Sequence, residues 1–458
     1  MEVVSKEIVF ENSHSRNSIS VQLPLEPDEY EDKSSSTDIS VIELDYPEGG
    51  KKAWCTVFAA FIGLTAEFGL INSMGAIESY VTTNILPDVS GVAISMVFSI
   101  YVFIVMGVMM ISGILFDKYG YKELCYSGSV LLIGGLFATG NCTQLWQFFL
   151  AFSLCCGLGC ALLTSPLVTA VGHFFNKRRG LAMSVVMPGA SLGGVIWPLV
   201  CRSLYKKVGF TWTMRILGFI FLGILLLTCL MMNDRHEEIQ EIRFSNESKE
   251  KGKWSHITDL IDLSVIKDQK FLWMTIAICM NEFSVIMVTT YIPNYALSKG
   301  FGQSMSLISL TVCNASGVIG RLIPALLSDH YGPFNMILIM SFIMTISIFI
   351  IWLPFGEHLQ AFLTFCVIFG FSMAATLSLT PLCTSAISDP EEFGKRYGTA
   401  YFFVSFINLI ALPIGMALST TSIGYDAMAA FGGCTSFIAF ASFLICRYKV
   451  GGYKVIKV

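Results

Sequence analysis

Long apolar segments alternate with short polar ones along most of this 458-residue chain, from residue 53 onward. Each apolar segment is close to the ~20 residues that an α-helix needs to cross ~30 Å of hydrocarbon. The pattern therefore predicts an all-α membrane protein with twelve transmembrane helices. The predicted spans are 53–77, 92–116, 124–140, 145–171, 181–201, 212–232, 270–293, 305–328, 334–354, 359–383, 397–418 and 424–446.

The only long gap between spans is the charged and polar stretch 233–269, which divides the spans into six and six. We therefore expect an N-terminal six-helix bundle over residues 51–232 and a C-terminal one over 270–446, joined by a central loop. A short basic tail, 447–458, follows the last span. Two sets of equal size are typical of carriers that are built from a structural repeat.

The composition supports the membrane assignment, because 54% of residues are hydrophobic, 14% are charged and the mean hydropathy is +0.66. Soluble domains have about 25% charged residues. Residues 1–50 differ, with twelve acidic residues against three basic ones. Such a segment buries too little apolar surface to offset its ordering entropy, so we expect a disordered acidic tail. It shows no signal-peptide pattern, and we expect the first span to direct insertion.

The placement of Lys and Arg predicts the orientation in the membrane. An even number of spans puts both termini on one side, and 23 of the 29 basic residues fall there. We therefore expect both tails and the central loop to be cytoplasmic. On this assignment Asn141-Cys142-Thr143 is a glycosylation sequon on the outer side, in a loop so short that we do not expect its use. The plasma membrane is our first expectation for the location and the vacuolar membrane our second.

Two loops at matching places in the two sets share a motif. The loop after the second span contains Asp117-Lys-Tyr-Gly120, and the loop after the eighth contains Asp329-His-Tyr-Gly332. We expect these loops to be conformational-switch elements in which Gly adopts an unusual backbone angle and Asp caps a neighbouring helix N-terminus. Gly113, four residues before Asp117, is a small residue that would let another helix come close. The repetition itself is strong evidence for a duplicated bundle.

This paired motif resembles that of the major facilitator superfamily, and the resemblance extends over residues 50–446. Further motifs narrow it: Glu48-Gly-Gly-Lys-Lys-Ala-Trp54 before the first span, Phe174-Phe-Asn-Lys-Arg-Arg-Gly-Leu-Ala-Met183 before the fifth, and Asn314-Ala-Ser-Gly-Val-Ile-Gly-Arg321 in the eighth. Together they are similar to the monocarboxylate porter family and in detail to its fungal homologues, which include a riboflavin facilitator. The resemblance implies alternating access by two rocking bundles.

Two acids in the predicted membrane interior are candidate site residues. Glu67 in the first span and Glu282 in the seventh are each followed by Phe. An acid at that depth costs about 2.5–3.5 kcal/mol on insertion scales, so it usually faces a protein interior or a water-filled path. We expect Glu67 and Glu282 to serve either as sites of proton coupling or as fixed counter-charges, and the sequence leaves both roles open.

Arg321 is the strongest candidate for a substrate contact. It lies eight residues before Asp329, or about 12 Å up the helix, where a guanidinium needs an acid or an anionic ligand. The resemblance implies the same role, since animal monocarboxylate porters have at this place an arginine that is thought to bind the substrate carboxylate. A buried ion pair with Glu67 or Glu282 is the alternative.

Two departures from the porters weaken a proton-coupled lactate interpretation. Those proteins have an acid one turn before the arginine, where this chain has Gly317, and a lysine in the first helix that Leu70–Gly75 lacks. Asn72 and Asn314 are candidate substrate ligands, because their amides could hydrogen-bond a larger uncharged heterocycle.

We therefore expect a secondary transporter, not an enzyme, that moves a small organic solute without ATP, since no phosphate-binding Gly-x4-Gly-Lys-Ser/Thr loop occurs. Monocarboxylates or related anions rank first and riboflavin ranks close behind; a non-transporting nutrient sensor that signals through its acidic tail is the alternative from another class. The expected partners are the solute and membrane lipid, with protons an open question and no nucleic acid. The 14 Cys lack metal-ligand spacing, and we expect no metal and no cofactor.

Overall fold

A computed structural model describes residues 46–175, 178–239, 267–388 and 393–452 of the chain, and these residues form a bundle of long helices. Ten of the described helices are long and apolar enough to cross a membrane. The bundle is assembled from α1 (Lys51–Asn72, then Met74–Tyr80 and Val81–Ile85), α2 (Gly91–Tyr119), α3 (Tyr121–Thr139), α4 (Leu145–Gly172), α5 (Arg179–Val186, then 188–208), α6 (210–231), α7 (Gln269–Ser298), α8 (Gly302–Tyr331), α9 (Pro333–Phe355), α10 (Leu359–Ala386), α11 (Phe393–Ser419) and α12 (Tyr425–Gly451).

The difference between ten membrane helices and twelve predicted spans has two local causes. The continuous helix Pro188–Met231 contains Gly209 at φ 74°, outside the helical range, so two antiparallel rods meet there as α5 and α6. The 19-residue α3 begins with Lys122 and Glu123 in its first turn, and these charges lower its hydropathy. The twelve helices α1–α12 therefore correspond to the twelve predicted spans, in the same order along the chain.

The first helix is longer than the span 53–77 that the sequence predicts. Its helical path breaks at Ser73 and then continues to Ile85. The Ser73 hydroxyl donates to the carbonyl of Gly69 at 2.7 Å, and the Ser73 backbone N–H donates to the same carbonyl at 3.1 Å. The prediction ended too early because polar residues between 78 and 84 resemble a loop.

The bundle has two ends, which we name by the chain termini. The terminal face is the end at which α1 begins and α12 ends, and the distal face is the opposite end. At the terminal face Gly120 and Gly332 have φ values of 75° and 87°, as predicted, and each immediately precedes a helix. The carboxylate described at the N-terminus of α3 is that of Asp234, whose Oδ2 accepts from the backbone N–H of Tyr121 at 3.0 Å.

The structure does not test the predicted roles of the two loop aspartates, and it contradicts the one predicted for Gly113. The side chains of Asp117 and Asp329 lie outside the described part of the structure, so their capping role stays a prediction. Gly113 does not bring another helix into close contact, because a Cβ there would lie 3.9 Å from the Ser165 hydroxyl, an ordinary van der Waals distance. The acidic tail up to residue 45, the central loop from 240 to 266 and residues 453–458 also lie outside the described ranges.

Helix packing depends on glycines at which backbones touch. Helix α1 packs most extensively on the continuous stretch Pro188–Met231, which contains most of α5 and all of α6. A Cβ added to Gly193 of α5 would lie 2.1 Å from the Thr65 carbonyl oxygen of α1 and 2.5 Å from the Cα of Gly69. In the second set, a Cβ on Gly370 of α10 would lie 2.0 Å from the Cys313 carbonyl oxygen of α8. These are the close helix approaches that small residues permit in membranes.

The α1–α5 contact generates a stability prediction. Gly193→Ala should lower the free energy of unfolding by about 1–3 kcal/mol, because the new methyl group overlaps the α1 backbone and the helices must shift apart. Thermal unfolding of the purified protein in detergent measures the effect. Gly223→Ala in α6 is the matched control, since nothing lies within 4 Å of a Cβ there. Equal melting temperatures for the two variants would contradict the proposed contact.

Candidate functional site

Arg321 of α8 is buried where the helices before residue 240 meet those after 266. Its side chain is 8% exposed, and its Nε donates to the Ser191 hydroxyl of α5 at 2.9 Å. Among the described residues its two Nη nitrogens have no hydrogen-bond partner. The guanidinium is therefore anchored through one nitrogen and retains donor capacity for a bound solute.

Glu282 of α7 lies in the same region as Arg321 and interacts with it electrostatically. The two groups do not form a direct ion pair within 4 Å in the described part of the chain. Instead, the Tyr401 hydroxyl of α11 donates to Oε1 of Glu282 at 3.4 Å. Tyr401 packs on Tyr397 with ring centroids 4.7 Å apart, which puts aromatic faces beside the charged pair.

Glu67 of α1 is not among the groups that interact electrostatically with Arg321, so it does not serve as its counter-charge in this conformation. It is fully buried within the first set, where the Thr164 hydroxyl of α4 donates to its Oε1 at 2.9 Å. The other neighbours that interact with it are Tyr101 and Cys160. The structure thus associates Arg321 with Glu282 and leaves Glu67 inside the N-terminal set.

The predicted substrate ligands Asn314 and Asn72 both take part in helix contacts in this conformation. The Asn314 side-chain nitrogen lies 3.1–3.4 Å from the carbonyl oxygens of Leu310, Gly194 and Asn72. An amide has two N–H donors, so these three acceptors already exceed its capacity. Asn72 donates to the Ala190 carbonyl at 3.0 Å. Their substrate role stays a prediction, and it requires these contacts to open.

A third buried acid, Glu78, follows the break in α1 and lies just beyond the predicted first span, 53–77. Its carboxyl group is fully buried against α7, with the Tyr291 phenol oxygen 3.3 Å from its Oε1. The same phenol oxygen lies 2.7 Å from the Leu412 carbonyl oxygen of α11. Because the predicted first span ended at residue 77, Glu78 was counted with the loop. The apolar residues Val81 and Ile85 that follow it were the available signal for a longer helix.

Comparison with known proteins identifies the class of the chain. The family model for the Major Facilitator Superfamily matches residues 53–389. The chain belongs to this superfamily, and the resemblance noted in its loop motifs is confirmed. It is therefore a membrane transporter of a small-molecule solute rather than an enzyme.

The chain is similar over most of its length to several fungal transporters. The riboflavin transporter of Saccharomyces cerevisiae is 35% identical over 426 residues, which cover 90% of this chain and 81% of the yeast protein. An MFS-type transporter of Gibberella moniliformis is 32% identical, covering 85% of this chain and 89% of that protein. The aspyridones efflux protein of Emericella nidulans is 29% identical, and the alignment covers 86% of this chain and 78% of that protein.

The association of Arg321 with Glu282 predicts a non-additive effect on stability. Glu282→Gln should leave the buried guanidinium without compensating charge and lower the unfolding free energy by roughly 3 kcal/mol or less, below the ~3–5 kcal/mol of a broken direct pair. The double variant Glu282→Gln/Arg321→Gln should recover part of that loss, as thermal unfolding in detergent would measure.

Glu357→Gln is the matched control for this double-mutant cycle, because Glu357 is an exposed acid of the second set that pairs with Lys299 at 2.6 Å. It should change stability little, since exposed ion pairs are worth about 0–1 kcal/mol. Arg321→Gln alone completes the cycle, and if the losses of the two single variants add up to that of the double variant, the electrostatic association of Glu282 with Arg321 contributes nothing.

Proposed function

We propose that this transporter carries riboflavin, or a similar uncharged planar heterocycle with polar substituents, by alternating access between two six-helix bundles. The observation that carries the proposal is the relative named as a riboflavin transporter, which is alike over 90% of this chain. This reverses the order in which sequence analysis ranked the two substrate classes.

The geometry around Arg321 supports an uncharged solute. Arg321 and Glu282 interact electrostatically, and when Glu282 is ionised the pair is neutral, so that the site then needs no anionic ligand. The unpartnered Nη groups can donate to the ring carbonyl oxygens of a flavin, and the Tyr397–Tyr401 pair offers aromatic faces for stacking. Sites that bury most of a small solute are largely apolar, and a few well-placed polar groups are enough to fix its orientation.

A monocarboxylate is the second candidate substrate class. The same two Nη donors form a fork that fits a carboxylate in a bidentate manner. Binding an anion there requires Glu282 to be protonated, since otherwise the site would carry a net negative charge. A monocarboxylate would therefore be transported together with a proton, whereas riboflavin would not require one.

The distribution of basic residues also supports an orientation of the protein in the membrane. The terminal face is cytoplasmic, because it has most of the Lys and Arg residues and cytoplasmic loops are enriched in these residues. Both chain termini then lie in the cytoplasm, and the plasma membrane is the proposed location. A transporter should retain most of its flux when residues 1–45 are deleted, whereas a sensor that signals through this tail would lose its output.

Uptake into vesicles tests the substrate assignment. Vesicles with the protein should accumulate labelled riboflavin faster than vesicles without it, and should take up labelled lactate and pyruvate no faster. Arg321→Ala should reduce riboflavin uptake at least about tenfold, since losing hydrogen bonds from a charged donor costs about 1.5–3 kcal/mol.

Arg215→Ala provides the matched control for that variant. Arg215 lies in α6, where its Nη2 donates to Asn141 Oδ1 at 2.8 Å, away from the region between the bundles. Its removal should leave uptake unchanged at equal protein level. Saturable uptake of lactate without riboflavin uptake would overturn the riboflavin assignment in favour of the monocarboxylate one.

A further inference from the structure

Glu78 lies where α1 meets α7 toward the distal face, in a contact between the two sets of helices. We propose that Glu78 is a proton-binding site of the distal gate: the gate closes on the neutral carboxylic acid, and ionisation of Glu78 favours separation of α1 from α7. The ligand is a proton taken from the water on the distal side.

The number of available hydrogens carries the assignment. The Tyr291 hydroxyl has one hydrogen, and its oxygen neighbours include two that could accept it without having a proton of their own: the Leu412 carbonyl at 2.7 Å and Glu78 Oε1 at 3.3 Å. The Ser95 hydroxyl of α2 also interacts with it and has its own hydrogen to donate. The shorter contact takes the hydrogen, because hydroxyl donors prefer O···O distances of about 2.7–2.8 Å. The contact with Glu78 then becomes a hydrogen bond only if Glu78 has a proton and donates it to the phenol oxygen.

The surroundings of Glu78 provide no positive charge. From α7 it faces Tyr291, and Tyr425 at the start of α12 interacts with it electrostatically. No Lys, Arg or His among the described residues acts on its carboxyl group. Its Oε2 has no hydrogen-bond partner in the described structure. An ionised carboxylate without compensation would cost far more than a neutral one in this environment.

The contact at Glu78 can be present only while the distal ends of the two sets are together. A Cβ on Gly75 of α1 would lie 2.3 Å from the Thr290 carbonyl oxygen of α7, so the two backbones touch one turn before Glu78. Separation of α1 from α7 breaks this contact and admits water to the carboxyl group. The proton is captured from the distal side on closing and returns there on opening, so no net proton transfer across the membrane is involved.

This inference relies on the alternating-access part of the proposed function and not on the identity of the solute. Its test is hydrogen–deuterium exchange of the purified full-length protein in detergent, without substrate. The segments 74–85 and 287–295 are followed at about pH 6 and about pH 8, with rates corrected by an unstructured peptide standard. Above the titration point of a single carboxyl group the opening constant should rise by up to about tenfold per pH unit.

Glu78→Gln should keep both segments protected at both pH values, because the amide stays neutral and its N–H₂ can donate to Tyr291 as the acid does. Glu357→Gln is the control, since it removes an exposed distal carboxylate and should retain the pH dependence of the unmodified protein. The proposal is overturned if the unmodified protein shows no pH dependence, or if Glu78→Gln retains it.

Tyr291→Phe provides a second variant in case Glu78→Gln does not fold. It removes the acceptor of the Glu78 proton but leaves the carboxyl group, so exchange should increase at low pH while the pH dependence persists. Loss of the pH dependence in Tyr291→Phe would assign the titration to Tyr291 and overturn the proposal. Because no substrate is used, negative riboflavin uptake with pH-dependent opening would contradict only the substrate assignment.

Discussion

The direct contact of helix backbones at glycine is the constraint on which the rest of this structure depends. Glycine allows α1 to lie on α5 at Gly193, and allows α1 to lie on α7 at Gly75. Without a hydrophobic driving force between helices in lipid, such contacts and polar bonds hold a bundle together. The close approach also positions the polar groups: Ser191 reaches Arg321 because α5 is near enough to α8.

Charge compensation is the second constraint, and it is satisfied differently at three acids. Glu282 is close enough to Arg321 to share an electrostatic interaction, Glu67 accepts from Thr164 inside the first set, and Glu78 contacts the Tyr291 phenol. Buried ionised groups require a partner of opposite charge, whereas a neutral acid requires only hydrogen bonds. One residue type therefore serves three environments, and only the acid beside Arg321 belongs to the candidate substrate site.

The succession of helices and the superfamily could be predicted from the sequence, because span length and repeated loop motifs are local properties of the chain. The break at Ser73 and the helix beyond it could not, since polar residues between 78 and 84 interrupt the apolar pattern, and the predicted span therefore ends before Glu78. The burial of Arg321 was expected, but the choice of Glu282 over Glu67 as its neighbour depends on helix rotation. Periodicity does not fix helix rotation when apolar residues surround a helix on all sides.

The polar contacts that join the two sets have a different consequence for a carrier from those within each set. Between the sets lie the Arg321–Ser191 hydrogen bond, whose charged donor makes it worth about 1.5–3 kcal/mol, and the Glu78–Tyr291 contact, for which about 0.5–1.5 kcal/mol is typical. Within the second set, α7 is joined to α11 at two levels, through Glu282–Tyr401 and through Tyr291–Leu412. A carrier that alternates must break the first kind of contact in each cycle and keep the second. Where such contacts are exchanged for others of similar strength in the second conformation, the two conformations differ by a few kcal/mol, and a ligand that binds one of them better shifts the population.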